Sequence, residues 1–392
     1  MFGLYQMAFG ELTWGNLLML FIGGGLVYLA IARKMEPMLF VPLGIGIIMV
    51  NLPLAGLMVY APPAEPGAIP LPASGGLQEV AAREIGILNL LYQYALQSEI
   101  LPLFIFLGIG AMTDFTPTIA NPLSFLFGAG PKIGVFIIFL IAYLAGWFTL
   151  SEAACIGVIA TATGPAAVYI TLTKAPHLLG PITLIAYAYI AVVPLVQPPI
   201  IRALIPKKQR EIYMEPQIRE VSRLEKVIFP VAVFVMSALL VPASAPLIGM
   251  LMFGNLLSAT GVTDRLGASA GGAFIDVLTF LLGLTVGALM LAEVFLHPQT
   301  LLIIGLSMVG GFIFGTAGGI WTVQITNLFL KKKINPIIGA AGVSAVPMTA
   351  RVAQIEGQKA NPRNFLLMHA MGPNLAGAIA ASVVAGIFIG MV

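Results

Sequence analysis

Long apolar runs decide what this chain can fold into. Residues 17–31, 135–148 and 227–240 are apolar almost throughout, and the apolar residues follow one another rather than alternate with polar ones. In lipid, only helices and closed barrels satisfy every backbone polar group, and a membrane barrel strand alternates with a period of two. Continuous runs therefore select helices. Only 9% of the residues are charged, against about 25% in a typical soluble domain. With a mean hydropathy of +1.00 this excludes a water-soluble enzyme. A span needs ~20 apolar residues, so the 392 residues allow roughly ten spans. The expectation is an all-α polytopic membrane protein of roughly ten helices, residues 1–392 forming a single membrane domain.

The placement of charge orients it. Lys and Arg cluster at Arg33 and Lys34, in 202–226 (seven of the 19), and at Lys331, Lys332 and Lys333. The bias of basic residues toward the cytoplasmic side places all three clusters there, as topology signals or as a docking surface for soluble partners. Residues 61–82 hold five prolines, two Glu and no Lys or Arg, which predicts an external loop. No cleavable signal is expected, because the first apolar run leads straight into Arg33 and Lys34. The single cysteine, Cys155, has no partner for a disulfide or a thiolate metal site.

Glycine and proline interrupt the runs, and they do so twice in the same way. Residues 156–165 read IGVIATATGP and residues 338–347 read IGAAGVSAVP; each opens on Ile-Gly and places a proline eight residues after the glycine. At the same offset AYAY (186–189) falls on MHAM (368–371), while the TD of GAMTDF and of TGVTDR match at a different one. Paired Gly/Pro-interrupted segments are the sequence sign of inverted repeats around a transport site, here with halves 85–200 and 225–392 joined by the linker 202–226. Each proline opens its helix and frees carbonyls. Either these are plain kinks or they hold an ion.

The polar groups at the first break are Thr161, Thr163 and Tyr169; at the second they are Asn335, Ser344, Thr349 and Arg351. Oxygen ligands of this kind suit a hard monovalent cation. Arg351 stands one turn after Pro347, as an anion contact or as a residue that snorkels at a helix end. Asp114, Glu152, Asp276 and Glu293 are acids in or beside apolar runs. Asp276, in FIDVLTFLL, has no neighbouring base and is a candidate cation ligand or proton carrier; Asp114 precedes Thr116 and Pro117 and could simply cap a turn. His177 and His297 adjoin prolines at span ends, and His369 lies a turn from Asn374. No phosphate-binding glycine–lysine loop, His/Cys metal spacing or Gly-x-Ser-x-Gly elbow is present, so nucleotide hydrolysis is not supported.

Along GIGAMTDFTPTIANP (108–122), AYAYIAVVPLVQPPI (186–200), NPIIGAAGVSAVPMTARV (335–352) and NPRNFLLMHAMGPNLAG (361–377), the sequence resembles the β-subunits of the sodium-pumping, biotin-dependent decarboxylases, which serve oxaloacetate, glutaconyl-CoA, methylmalonyl-CoA and malonate complexes. GNLLSATGVTDRL (254–266) and HPQT (297–300) match more loosely. The resemblance implies a subunit that decarboxylates carboxybiotin and exports sodium while consuming a proton. It implies a biotin carrier subunit, a carboxyltransferase α-subunit and a small γ/δ-type membrane subunit as partners, within the lipid bilayer of a prokaryotic cell membrane. Homo-oligomers are expected, and no nucleic acid. Carried over by position, the sodium and coupling residues are Tyr189, Asn335, Gly339, Ser344 and Arg351, with Arg351 and Tyr189 toward the carboxylate chemistry.

One position departs from the pattern. Where the family typically reads Gly-Ala-Asp-Gly-Pro, this chain reads Thr161-Ala162-Thr163-Gly164-Pro165. Threonine can coordinate sodium but cannot carry a proton, so either coupling runs with a different charge stoichiometry or another acid serves; Asp276 is expected to be that acid. A different class stays open as well: a sodium-coupled secondary transporter with no decarboxylase attached. The acyl substrate would be chosen by the carboxyltransferase, outside this chain.

Overall fold

The computed structural model describes residues 8–34, 36–61, 70, 72–73, 85–160, 162–215 and 219–392. The loop expected at 61–82 falls almost wholly outside these residues, and so does Thr161. Every named element among the described residues is helical. In chain order the main helices are α1 (Trp14–Arg33), α2 (Pro37–Val50), α3 (Ile100–Met112), α4 (Leu123–Ala129), α5 (Lys132–Leu144), α6 (Leu150–Ile159), α7 (Gly164–Lys174) and α8 (Leu179–Leu204). There follow α9 (Arg223–Leu240), α10 (Ala245–Ala259), α11 (Ile275–Ala288), α12 (Gly311–Phe329), α13 (Ile337–Ala340), α14 (Met348–Ala360) and α15 (Leu367–Met391).

Local chemistry sets several starts. Thr13 accepts from the Asn16 amide while the Asn16 side chain returns to the Thr13 amide, and Thr149 with Glu152 and Ser222 with Glu225 do the same for α6 and α9. These reciprocal caps satisfy backbone donors that a helix start leaves open. Among the described residues, six helices are long and apolar enough to cross a bilayer, and two bent pairs bring the number to eight: Ile87–Leu96 with Ile100–Met112 (59°) and Pro176–Tyr189 with Val192–Leu204 (63°). The protein is therefore polytopic. The second bend has a clear cause, because Pro194 offers no amide to the carbonyl of residue 190 and its ring crowds that carbonyl.

Two compact units share the chain. The first comprises Met1–Pro102, Pro176–Leu184 and Asp276–Leu302. Its helices meet through glycine: a Cβ on Gly44 of α2 would lie on Gly23 O of α1, and a Cβ on Gly287 of α11 would collide with Leu43 O of α2. Small residues let backbones approach this closely in lipid, where hydrophobic burial gives little drive. Buried Asn51 closes the end of α2, donating to Ile47 O and Met290 O (2.8 and 2.9 Å) and accepting from the Ala292 amide (3.0 Å).

The second unit comprises Leu103–Ala175, Ile185–Ile275 and Ile303–Val392, and both helix breaks lie in it. The first break ends α6 at Ile159 and restarts the chain as α7 at Gly164, with Pro165 in the first turn, where its fixed φ and missing donor cost nothing. The second follows the single turn of α13 and restarts as α14 at Met348, directly after Pro347. Glycines seat the second break. A Cβ on Gly339 would strike Gly319 O of α12, one on Gly342 would strike Phe127 O of α4, and one on Gly377 of α15 would strike Gly342 O.

Candidate ion and substrate site

The two breaks meet at their hydroxyls. Thr163 Oγ1 and Ser344 Oγ lie 2.5 Å apart, both buried, across 181 residues of sequence. Around them the backbone is held tightly. Gly164 is fixed by an aromatic neighbour, since a Cβ there would collide with the Tyr187 ring. Ala162 takes a left-handed conformation (φ 56°), which turns the chain from α6 into α7.

At the second break, side chains from three helices add to the few backbone bonds of the opened turn, in which the Val343 amide reaches Ala340 O and the Ala345 amide reaches Val343 O. Gln197 Nε2 donates to Ala340 O (2.8 Å), and Thr349 Oγ1 donates to Ala341 O (3.1 Å) and Val343 O (2.7 Å). Asn374 Nδ2 reaches Ala341 O (2.8 Å), Val343 O (3.2 Å) and Thr349 Oγ1 (2.7 Å). The carbonyls of 340, 341 and 343 are thus occupied by donors. Using the amide nitrogens this way aims the amide oxygens elsewhere. Gln197 Oε1 and Asn374 Oδ1 are buried and have no hydrogen-bond partner among the described residues. Orphaned buried acceptors are rare because each forfeits hydration, and two beside one break call for a donor or a cation.

The other site candidates divide. Asn335 is fully buried, but its amide is engaged by backbone: Nδ2 donates to Arg210 O and Ile212 O (2.8 and 2.9 Å), and Oδ1 accepts from the Ile337 amide (3.1 Å). It caps α13 and clips residues 210–212 beside it. Gly339 contributes its missing side chain, as the approach of α13 to α12 shows. Tyr189 is wholly buried, stacked on Phe312 (centroids 3.6 Å apart, planes 12° apart), with a hydroxyl that has no hydrogen-bond partner among the described residues. Arg351, in the first turn of α14, is exposed and has no side-chain partner among the described residues. Asp276 is exposed on α11 and belongs to the first unit, whereas Thr163 and Ser344 belong to the second. Asp114 accepts from the Thr116 amide and hydroxyl and pairs with Lys226 (3.8 Å), so it closes a turn. His369 Nε2 bonds to Glu215 O (2.7 Å).

One ion pair ties α8 to α14 beyond the second break. Arg202, at the end of α8, makes two bonds of 2.7 Å to buried Glu356 of α14, and Lys359 adds a third at 3.0 Å. The Arg202 hydrogen bonds hold the Glu356 carboxyl below the ordinary carboxylate range.

The model of the Na+-transporting oxaloacetate decarboxylase beta subunit family matches residues 15–392. The chain belongs to this family. The methylmalonyl-CoA decarboxylase subunit beta of Propionigenium modestum is 47% identical over 391 residues, covering 99% of this chain and 97% of that protein. The oxaloacetate decarboxylase beta chain of Haemophilus ducreyi is 42% identical over 421 residues, 97% and 95% of the two chains. The methylmalonyl-CoA decarboxylase subunit beta of Veillonella parvula is 45% identical over 379 residues, 97% and 94%. As a beta subunit of a sodium-transporting decarboxylase, this is a membrane component of a multisubunit complex. Gln197, Thr349 and Asn374 form the lattice that holds the second break. Of these, Gln197 escaped the sequence reading; its signal was an amide inside the apolar, proline-rich run VVPLVQPPI.

Proposed function

We propose that this subunit decarboxylates carboxybiotin, brought to it on a biotin carrier subunit, and couples that step to sodium export in exchange for protons. The observation that carries the reading is the joined pair Thr163–Ser344 together with the unpartnered oxygens of Gln197 and Asn374, two amides that donate to carbonyls of the second break. Hydroxyl and amide oxygens are the ligand type a sodium ion needs, and they are fixed on two broken helices from separate parts of the chain. Asn335 and Gly339 position α13 in this reading rather than bind the ion. Asp276 is not needed: the ligands are neutral, and its exposed carboxylate has no role at them.

Bound carboxybiotin supplies a carboxylate on a ring nitrogen, and losing CO2 requires a proton at that nitrogen. Arg351, with a guanidinium free to offer two parallel N–H donors, receives the carboxylate. The unpartnered Tyr189 hydroxyl is a second donor held by its stack on Phe312. The basic linker 202–226 faces the cytoplasm and receives the carrier and the carboxyltransferase α-subunit, with a small γ/δ-type subunit alongside. The bilayer is a prokaryotic cell membrane, as the bacterial relatives suggest.

The test is the purified complex in proteoliposomes. Decarboxylation should depend on sodium and stop on adding avidin, and cysteines placed in 202–226 should be labelled from the cytoplasmic side only. Sodium-dependent exchange that persists with avidin and without any decarboxylase partner would favour a secondary transporter instead.

A further inference from the structure

One buried charge-bearing group has no part in the site described so far. Lys132 opens α5 inside an apolar run, is 4% exposed, and its Nζ has no hydrogen-bond partner among the described residues. Its surroundings connect it to the two breaks. A Cβ placed on Gly315 of α12 would touch Ala160 O, at the first break, at 3.5 Å and Pro131 O, one residue before Lys132, at 3.8 Å. The Pro131 ring lies 3.0 Å from a Cβ position on Gly342, within the second break. One turn before Lys132, Gly128 packs on Gly377, whose own Cβ position is 3.2 Å from Ser344 Cβ. The start of α5 is therefore wedged between the two breaks, within a turn of the residues that flank Ser344.

Among the described residues no acid answers the amine there. The elements packed on α5 are α4, α6, residues 306–310, α12 and α15. Their titratable side chains are Glu152 and Cys155 of α6 and His369 of α15. Glu152 is held in the cap of α6 by Thr149, at the end remote from the break; Cys155 donates to Ile170 O; His369 bonds to Glu215 O. A sodium ion at Thr163–Ser344 and an ammonium at Lys132 would be two like charges in one buried region with no carboxylate to offset them.

We propose that Lys132 is the proton-exchanging group of the transport cycle: its ammonium loses a proton to water when sodium enters the Thr163–Ser344 site, and its amine takes one up when sodium leaves. The balance is one cation for one: R–NH3+ and Na+ give R–NH2 with bound Na+ and a free H+. This supplies the titratable group that Thr163 cannot, and it acts through the ion's charge rather than by contact. It rests on the sodium reading of that site.

The experiment measures sodium binding and proton release on the purified full-length subunit in detergent, using calorimetry and a pH-indicator dye in weak buffer. Wild type should release about one proton per sodium bound, and its apparent sodium affinity should fall about tenfold per pH unit on the acid side. Lys132→Gln and Lys132→Met should still bind sodium, release no proton and lose the pH slope. Lys132→Arg, permanently charged, should bind sodium weakly at every pH, as wild type does in acid. Thermal melting confirms that each variant is folded. Proton release or a pH slope in Lys132→Gln equal to wild type would overturn the role of Lys132 while leaving the sodium site standing. A wild type that binds no sodium would overturn both.

Discussion

The two helix breaks begin from the same spacing and are completed by different means. At the first, the chain turns through left-handed Ala162 and restarts under the Tyr187 ring, with Thr163 as its link to the other break. At the second, three successive supports (Gln197 from α8, Thr349 from α14, Asn374 from α15) reach the carbonyls of 340, 341 and 343. Close steric contacts seat both breaks, and the second carries in addition a hydrogen-bond lattice drawn from three helices. Sequence similarity at a break thus says that the helix stops. It does not say whether the freed carbonyls remain for an ion, and at the second break those of 340, 341 and 343 already have side-chain donors. What remains for the ion are the amide oxygens that the lattice aims away.

Removing the cation that follows the second break should have the largest effect. Arg351→Ala is expected to lower carboxybiotin decarboxylation by at least about 100-fold, the scale of losing a charged bidentate contact worth several kcal/mol. The protein should stay folded, because Arg351 is exposed and bonds to no side chain among the described residues. Near-normal turnover of the variant in the reconstituted complex would make Arg351 a helix-end residue and strip the second break of its chemical distinction.

The lattice itself is next. Asn374→Ala leaves Ala341 O and Val343 O without one of their donors and should destabilise the protein by about 1–3 kcal/mol per lost buried partner. It should also weaken sodium binding. Thr163→Val, which keeps the shape of the first break and removes its oxygen, should weaken sodium binding about tenfold and lower the melting temperature less than Asn374→Ala, because it removes one buried hydrogen bond where Asn374 makes three. If the two variants behaved alike in both assays, the distinction between a break with a lattice and one without would fail.

The smallest effect tests the ion pair between α8 and α14. Glu356 has a depressed folded pKa, so its contribution to stability is present above the ordinary carboxylate value of about 4.3 and fades as pH falls through and below it. Arg202 is about half exposed, so solvent screening keeps the gain small. Acid titration of the melting temperature should show a loss below about pH 4–5 that is reduced in Glu356→Gln. An identical acid profile in that variant would assign the acid loss to other carboxylates.

Much of this molecule is legible in its sequence because lipid leaves few options. Apolar runs without charge force helices, prolines in those runs force breaks, and the caps at Thr13, Thr149 and Ser222 are written as local patterns. The pairing of IGVIATATGP with IGAAGVSAVP pointed to Thr163 and Ser344, which the structure joins. Contacts between distant segments were not legible. Asn335 looked like a ligand, yet its amide is bound to the backbone of residues 210–212 and 337, a partner choice that only the tertiary fold makes. Asp276 looked isolated among apolar neighbours, but sequence cannot say which face of a helix turns inward, and α11 leaves this carboxylate exposed. Lys132 reads as an ordinary basic residue before an apolar run; its burial between two breaks follows from glycines on α12 and α15 that let the backbones close around α5. Local steric and solvation rules act on neighbours in sequence, so the sequence determined helices and breaks. Long-range packing selects which polar atoms stay satisfied, and that choice belonged to the tertiary structure.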